Sequence, residues 1–243
     1  MKLLRIAFRP ETVAPMCALT FGSAITVALV FAQMLWTDHL RYGFLIWNLF
    51  LAWLPLIFAL LAAEQLKSER GNRWLFFPLA AAWLLFFPNA PYICTDLVHL
   101  PMQFHRYFWV DLILILLPAF SGLMLAFLSL YLMQSVVARR FGAMTGWGFV
   151  AAIAGLSSFG VYLGRFLRFN SWDVFVRPLW VCRGLDAWFG NPMLRHHASG
   201  FLILFAAFLF VAYLMLYALT HLSPAQSIRA LPAAPNLNEL DGR

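Results

Sequence analysis

An acid and an imidazole lie one helical turn apart in the stretch PNAPYICTDLVHL, which covers residues 88–100. On an α-helix Tyr92, Asp96 and His99 are spaced i, i+4 and i+7, so they form one polar stripe. An Asp and a His at this spacing can share a metal ion, or the Asp can orient the His as a general base. Two ligands are too few for a metal site, and the residues identify no cofactor. A stripe that simply faces water or a capped loop is therefore the interpretation we favour.

Other polar residues could join this pair if they lie at the same end of neighbouring helices. They are Asn48, Asn89, Asp111, Arg165, Arg168, Asn170 and Asp173. One interpretation is charge compensation, in which an arginine pairs with Asp96 or Asp111 and stabilises the bundle. The other is a binding pocket in which two guanidinium groups hold an anionic lipid headgroup or a phosphate. No GxSxG, HExxH, P-loop or GxGxxG motif identifies a reaction.

The elements that position these residues must lie largely in lipid. Of the 243 residues, 63% are hydrophobic and only 11% are charged, with a mean hydropathy of +0.79. A soluble domain carries roughly a quarter charged residues, because its surface must face water. The net charge of +7 is spread over short basic clusters between apolar runs. This pattern is typical of a membrane protein. It therefore predicts membrane lipids as partners and no nucleic acid.

Six apolar runs predict an all-α polytopic bundle of about six transmembrane helices. The runs are Val13–Trp36, Gly43–Ala63, Trp74–Phe87, Trp109–Met133, Met144–Gly164 and Ser199–Thr220. Most of them reach the roughly 20 residues that are needed to cross the bilayer core. We therefore expect residues 1–220 to form a single transmembrane domain. Residues 221–243 are polar and rich in Pro and Ala, so we expect a disordered cytoplasmic tail.

Two shorter helical segments are expected outside the spans. Pro88 and Pro91 end the third span, and Asn89 can cap a short amphipathic helix that begins near Pro91 and ends near Leu100. Between the fifth and sixth spans, an aromatic-rich segment from Trp172 to Phe189 predicts helix lying in the interface. Within the fifth span, Gly160-x-x-x-Gly164 has the spacing that permits close helix packing.

The distribution of Lys and Arg predicts that both termini are cytoplasmic. Basic residues cluster in the head (Lys2, Arg5, Arg9) and in two short loops (Lys67, Arg70, Arg73; Arg139, Arg140), whereas the alternate short loops hold only Arg41 and Arg106. Short cytoplasmic loops carry such an excess. The loop after the fifth span has five Arg and argues the other way, but long loops count for less. Cys94 and Cys182 would then share the outer side, where they could form a disulfide.

Three stretches carry a family resemblance. They are Trp47-Asn48-Leu49 leading to Ala52-Trp53 and Pro55, Phe87–Tyr92 leading to Thr95-Asp96-Leu97 and His99-Leu100, and Ser158-Phe159-Gly160 through Gly164-Arg165-Phe166 to Asn170–Asp173. Together they resemble a bacterial membrane family named domain of unknown function 1361, over roughly Gly43 to Thr220. The resemblance implies a bacterial multi-pass protein and implies no activity, substrate or cofactor. It draws attention to Asn89, Asp96, His99, Arg165 and Asp173.

Two classes of function remain open at this point. The first is a non-enzymatic protein of the bacterial inner membrane, either a small transporter or an assembly partner, which the absence of a catalytic motif favours. The alternative is an enzyme that acts on a lipid or lipid-linked phosphate at the outer leaflet. It would use Asp96 and His99 for proton transfer and Arg165 and Arg168 to hold the phosphate.

The orientation can be tested with reporter fusions. We expect reporters fused between Lys67 and Arg73 and in the tail after His221 to read as cytoplasmic, and one at Gln103 to read as external. The reason is the excess of basic residues on the cytoplasmic side. An external reading from the tail would overturn the orientation.

Overall fold

The computed structural model describes residues 10–37, 42–67, 72–100 and 108–221, and its regular elements in these ranges are all helical. The elements are α1 (Pro10–Thr37), α2 (Gly43–Lys67), α3 (Arg73–Phe86), α4 (Asn89–Tyr92), a 3₁₀ segment (Ile93–His99), α5 (Phe108–Phe141), α6 (Ala143–Phe166), α7 (Asp173–Val176), α8 (Pro178–Gly190) and α9 (Pro192–Thr220). The prediction of an all-α protein is confirmed.

Six stretches in these ranges are long and apolar enough to cross a membrane, as predicted. They are α1, α2, α5, α6, α9 and the combined stretch Arg73–His99. Several helices are longer than the apolar runs, because polar and aromatic residues continue them at one or both ends. α5 has 34 residues, or roughly 50 Å of helix, and its last turn carries Arg139 and Arg140.

Some residues used in the sequence interpretation lie outside the described ranges. They are Lys2, Arg5, Arg9, Arg41, Arg70, Arg106 and the tail from residue 222 onward. The orientation, the division at residue 220 and the disorder of the tail therefore stay predictions.

The chain divides into two compact units, Met1–Phe210 and Val211–Arg243. The first unit contains the short elements α4, the 3₁₀ segment, α7 and α8, and it contains all the candidate site residues. In the described part of the second unit, the last turns of α9 bring the ring of His221 to 4.1 Å from that of Tyr217. The candidate site therefore lies entirely within the first unit.

The core of the first unit is built around α2, which packs against α3 and α5, while α5 also packs against α6. Ala52, Leu56 and Ala59 on α2 are fully buried. Large apolar side chains on the outer faces, such as Trp74 and Phe120, remain exposed. This arrangement suits helices whose outer surface contacts lipid rather than water.

The short helical segment predicted after the third span is present, but its winding differs from the expected α-helix. Phe87 (φ −54°, ψ −41°) and Pro88 (φ −60°, ψ −23°) keep a right-handed backbone while they interrupt the α-helix. The chain resumes as α4 and then tightens into the 3₁₀ segment. Asn89 is the first residue of α4 and does not cap it, because its amide donates to the carbonyl of Phe86 instead.

The 3₁₀ winding turns the acid inward. With three residues per turn, side chains at i and i+3 share a direction, so Asp96 and then His99, the last residue of the segment, follow Ile93 rather than Tyr92. Ile93 is 0% exposed and Asp96 is 1% exposed. The interpretation that the whole stripe faces water is therefore wrong, although the side chain of His99 is 49% exposed.

Glycines allow this segment to fit between α5 and α6. A Cβ on Gly122 of α5 would lie 2.7 Å from the carbonyl oxygen of Ala90, and one on Gly160 of α6 would lie 2.5 Å from Cγ of Pro88. A Cβ on Gly164 would lie 3.2 Å from Cε2 of Tyr92. The close packing predicted from the glycine spacing is confirmed.

The segment between α6 and α9 is helical, as predicted. α7 is a single turn, and Pro178 begins α8 at the first helical position, where its missing N–H costs nothing. Phe175 and Leu179 are strongly exposed, as expected of an interfacial segment. Cys94 and Cys182 are both free, so the suggested disulfide is not formed in this structure.

Replacing Gly160 by Ala tests the packing against Pro88. We expect Gly160→Ala to cost about 1–3 kcal/mol, because the new methyl group must displace the proline ring. The matched control is Gly155→Ala on the same helix, where a Cβ would meet nothing within 4 Å. The measurement is the midpoint of thermal unfolding of the purified protein. Equal midpoints for the two variants would contradict the close approach.

Candidate functional site

The Asp96 carboxylate is the most deeply buried charged group among the described residues, at 1% exposure. Its Oδ1 accepts a hydrogen bond from Nη2 of Arg165 at 2.5 Å, which is also a salt bridge. Its Oδ2 accepts from Nδ2 of Asn48 at 2.8 Å. An unpaired carboxylate in such surroundings would lose its hydration without compensation. Both oxygens are therefore satisfied by side chains from two other helices.

The Arg165 guanidinium lies at the C-terminal end of α6 and spreads over the 3₁₀ segment. Its Nε and Nη2 donate to the Thr95 hydroxyl at 2.9 and 2.6 Å, and its Nη1 is 3.2 Å from Nε2 of His99. Its Cζ lies 4.4 Å from the centre of the Tyr92 ring, a cation–π contact. One arginine thus contacts three side chains of the 3₁₀ segment and Tyr92 at the end of α4, and it ties both elements to α6.

The geometry defines how His99 participates. A guanidinium N–H can only donate, so Nε2 of His99 accepts and the ring carries its proton on Nδ1. The same Nε2 lies 4.0 Å from Oδ1 of Asp96, which is beyond hydrogen-bond reach. Phe44 packs edge-on against the ring, with centroids 5.1 Å apart. Arg165, and not Asp96, orients the imidazole, so an Asp–His dyad is not formed.

The surroundings of Asp96 and His99 determine whether they could bind a metal ion. Within the described part of the chain, no three His, Cys, Asp or Glu side chains lie together in an arrangement that could hold a metal ion. Asp96 and His99 therefore have no third ligand of these types among those residues.

A second set of hydrogen bonds joins the break after α3 (Phe87 and Pro88) to the segment between α6 and α7 (residues 167–172), which we call the link. Nδ2 of Asn89 donates to the Ser171 hydroxyl at 2.9 Å and to the carbonyl of Phe86 at 3.0 Å. Ser171 in turn donates to the carbonyl of Leu85 at 3.1 Å. These bonds satisfy carbonyl groups near the break in the helix. The link is therefore fastened to the end of α3.

Asn170 and Asp173 form a local turn rather than part of the ion-pair cluster. The backbone N–H and the side-chain amide of Asn170 donate to Oδ2 of Asp173 at 2.7 and 3.2 Å. This arrangement fixes the start of α7. Asp173 is 7% exposed, and its charge is used within the turn.

Asp111 and Arg168, two further predicted members, also stay outside the cluster around Asp96 and Arg165. Asp111 is buried in the first turn of α5, and between described residues it forms no salt bridge with Arg165 or Arg168. Arg168 is exposed and follows the end of α6 with a left-handed backbone (φ 58°), which directs the chain into the link. Thr95, which contacts Arg165, and Ser171, which contacts Asn89, were not predicted as site residues, because a single hydroxyl residue carries no spacing signal.

A pocket of about 190 Å³ adjoins the ion pair. It is enclosed by α2, the break after α3, the end of α6 and the link that follows. Its polar wall is formed by Asn48, Asn89, Tyr92, Asn170 and Ser171, and its aromatic wall by Trp47, Phe169 and Trp172. Asn48 and Tyr92 belong to both the pocket and the cluster. Whether these residues bind a ligand stays a prediction.

Removing the guanidinium tests the importance of the ion pair. We expect Arg165→Met to destabilise the protein by about 3–5 kcal/mol, because Asp96 would be left as a buried charge with only Asn48. Arg168→Met is the matched control, and we expect a change within about 0.5 kcal/mol at this exposed position. Thermal or denaturant unfolding of both variants measures the difference. A cost for Arg165→Met no larger than that of the control would show that the pair does not stabilise the fold.

Comparison with known proteins gives a family and nothing beyond it. A search of curated proteins and a search of solved structures each find no match. The sequence model of the family described as "Protein of unknown function (DUF1361)" matches residues 47–215. The match includes Asn48, Asn89, Asp96, His99 and Arg165, and it covers well over half of the chain. The chain therefore belongs to the DUF1361 family.

Proposed function

We propose that this chain is a non-enzymatic protein of the bacterial inner membrane, with both termini in the cytoplasm, that acts as an assembly partner. The observation that carries the proposal is the Asp96–Arg165 pair. It is buried, its hydrogen bonds join three helical segments, and its carboxylate has a protein partner on each oxygen. Such a pair stabilises a scaffold and leaves little capacity for chemistry.

Proton transfer needs a group that is free to exchange its proton with a substrate. Asp96 is covered on both oxygens and reaches no solvent, so a substrate could approach it only after the pair had separated. The N–H groups of Arg165 already donate hydrogen bonds to Thr95, Asp96 and His99. An anionic headgroup would have to compete with Asp96 for this guanidinium. These contacts support a structural role for the pair.

The positions of the charges also favour an assembly partner over a transporter. Every Asp, Glu, Lys and Arg in the described spans lies within the first or last four residues of its span. Glu64, Asp111 and Arg195 are examples. Secondary transporters typically place charged groups near the middle of the bilayer. The exposed apolar faces of these helices could instead contact a partner in the membrane.

One observation supports an enzyme as the second candidate. The His99 side chain is 49% exposed, so a substrate at the membrane surface could reach its ring, and Nε2 would accept a proton once it had separated from the Arg165 guanidinium. Such an enzyme would act on a lipid or lipid-linked phosphate. Arg168, which is exposed, would be the arginine free to contact the phosphate.

Replacing His99 by Gln separates the two candidates, because an exposed side chain can be changed with little effect on stability. The measurement compares the lipid profiles of a strain that lacks the protein and of strains that carry the wild type or His99→Gln at equal abundance. We expect no lipid species to accumulate, and the protein to migrate in native gels with a second polypeptide. A lipid-linked phosphate that accumulates in both the deletion strain and the His99→Gln strain would favour the enzyme. Migration of the wild-type chain without any second polypeptide would contradict the assembly role.

A further inference from the structure

We infer that the pocket beside Trp47 and Trp172 binds a neutral group rich in hydroxyls, such as the sugar of a glycolipid headgroup. The inference concerns a ligand and not a partner protein. It is therefore independent of the proposed assembly role, and either can fail without the other. It rests on a comparison of the pocket's hydrogen-bonding groups. Some of them already bond to the protein, and others are available to a ligand.

The two asparagines present acceptors to the pocket. Asn48 faces a carboxylate and Asn89 faces a backbone carbonyl, and both of these groups only accept. Each side chain must therefore turn its NH₂ group toward the protein. Their carbonyl oxygens receive no hydrogen bond from another described residue. Because both residues line the pocket, a ligand that donates hydrogen bonds can satisfy these oxygens.

Tyr92 adds a group that can both donate and accept. Its ring is fixed between Gly164 and the Arg165 guanidinium. Within the described ranges its hydroxyl has no hydrogen-bond partner, while its backbone carbonyl is already bound by Thr95. A hydroxyl on a ligand matches both this group and the asparagine oxygens, since it donates one hydrogen bond and accepts others.

The charge of the pocket argues against an ion. None of the described residues that line it is Asp, Glu, Lys, Arg or His. The nearby guanidinium of Arg165 is neutralised by Asp96 and covered by the Tyr92 ring. A phosphate requires cationic or clustered N–H donors, which the lining does not supply. An ammonium group would lack a carboxylate and would lie near arginine.

The aromatic wall and the size suit one sugar ring. The rings of Trp47 and Trp172 are 6.0 Å apart, edge to face, and Trp47 is 53% exposed. An aromatic face can pack against the C–H face of a sugar ring while the hydroxyls reach the polar wall. At about 190 Å³, the cavity is smaller than the roughly 300–1,000 Å³ of pockets for drug-sized ligands. It can hold a headgroup, and the acyl chains would remain in the lipid.

The experiment uses the full-length chain in phosphatidylcholine nanodiscs, because sugar-based detergents would themselves fill the pocket. The measurement is the rise in the thermal unfolding midpoint when glucosyl-diacylglycerol is included, since a ligand that binds the folded state raises the midpoint. Parallel samples contain phosphatidylglycerol or phosphatidylethanolamine in place of the glycolipid, or free glucose without it. We expect a rise with the glycolipid. A comparable rise with free glucose would assign the same chemistry to a soluble sugar.

Two variants place the ligand in the pocket. Tyr92→Phe removes only the hydroxyl, and we expect it to weaken glycolipid binding roughly tenfold. Trp47→Ala should weaken binding by roughly tenfold or more, whereas Trp109→Ala, at an exposed position away from the pocket, should not. No rise with any sugar, an equal response in all variants, or a larger rise with phosphatidylglycerol or phosphatidylethanolamine would overturn the inference.

Discussion

The burial of one carboxylate constrains three separate parts of this chain. Asp96 is 1% exposed in a protein whose surroundings are largely hydrocarbon, where an uncompensated charge is very costly. Its compensation comes from Asn48 on α2 and Arg165 on α6, and these residues are 48 and 69 positions away in sequence. The two helices and the 3₁₀ segment must therefore meet at one end of the bundle. Thr95 and Tyr92 complete the contacts around the same guanidinium.

The interrupted span can occupy this place because its neighbours give it room. Gly122 on one side and Gly160 and Gly164 on the other lack the methyl group that would collide with it. The backbone can thus approach both α5 and α6 closely, which supplies the van der Waals contact that helps helices associate in a membrane. The adjoining pocket is formed at the same junction, where the link after α6 turns back to Ser171. Packing and polar contacts therefore support each other at this end of the first unit.

The sequence predicts much of the architecture because its signals are long. Each span is an apolar run, so the six helices follow from length and hydropathy, and only their ends differ from the prediction. The few charged residues near the helix ends predict an ion pair between an acid and an arginine. The spacing of the residues cannot show whether Arg165 or Arg168 forms that pair. In the structure Arg165 lies in the last turn of α6 and contacts Asp96, whereas Arg168 lies beyond the end of the helix with a left-handed backbone. Isolated hydroxyl residues such as Thr95 and Ser171 join through local hydrogen bonds, which leave no periodic pattern in the sequence.

The 3₁₀ winding of residues 93–99 also fixes how many residues the segment can contain. In a 3₁₀-helix each residue turns the chain by about 120°, so three residues complete a full rotation and Asp96 repeats the direction of Ile93. In an α-helix each residue turns the chain by about 100°, and the same carboxylate would be rotated by about 60°. Adding or deleting a single residue between Ile93 and Asp96 would rotate it by about 120°, away from both Asn48 and Arg165. The direction of the Asp96 side chain therefore depends on the number of residues that precede it in the segment. An inserted or deleted residue cannot be accommodated within the segment without moving the carboxylate away from its partners.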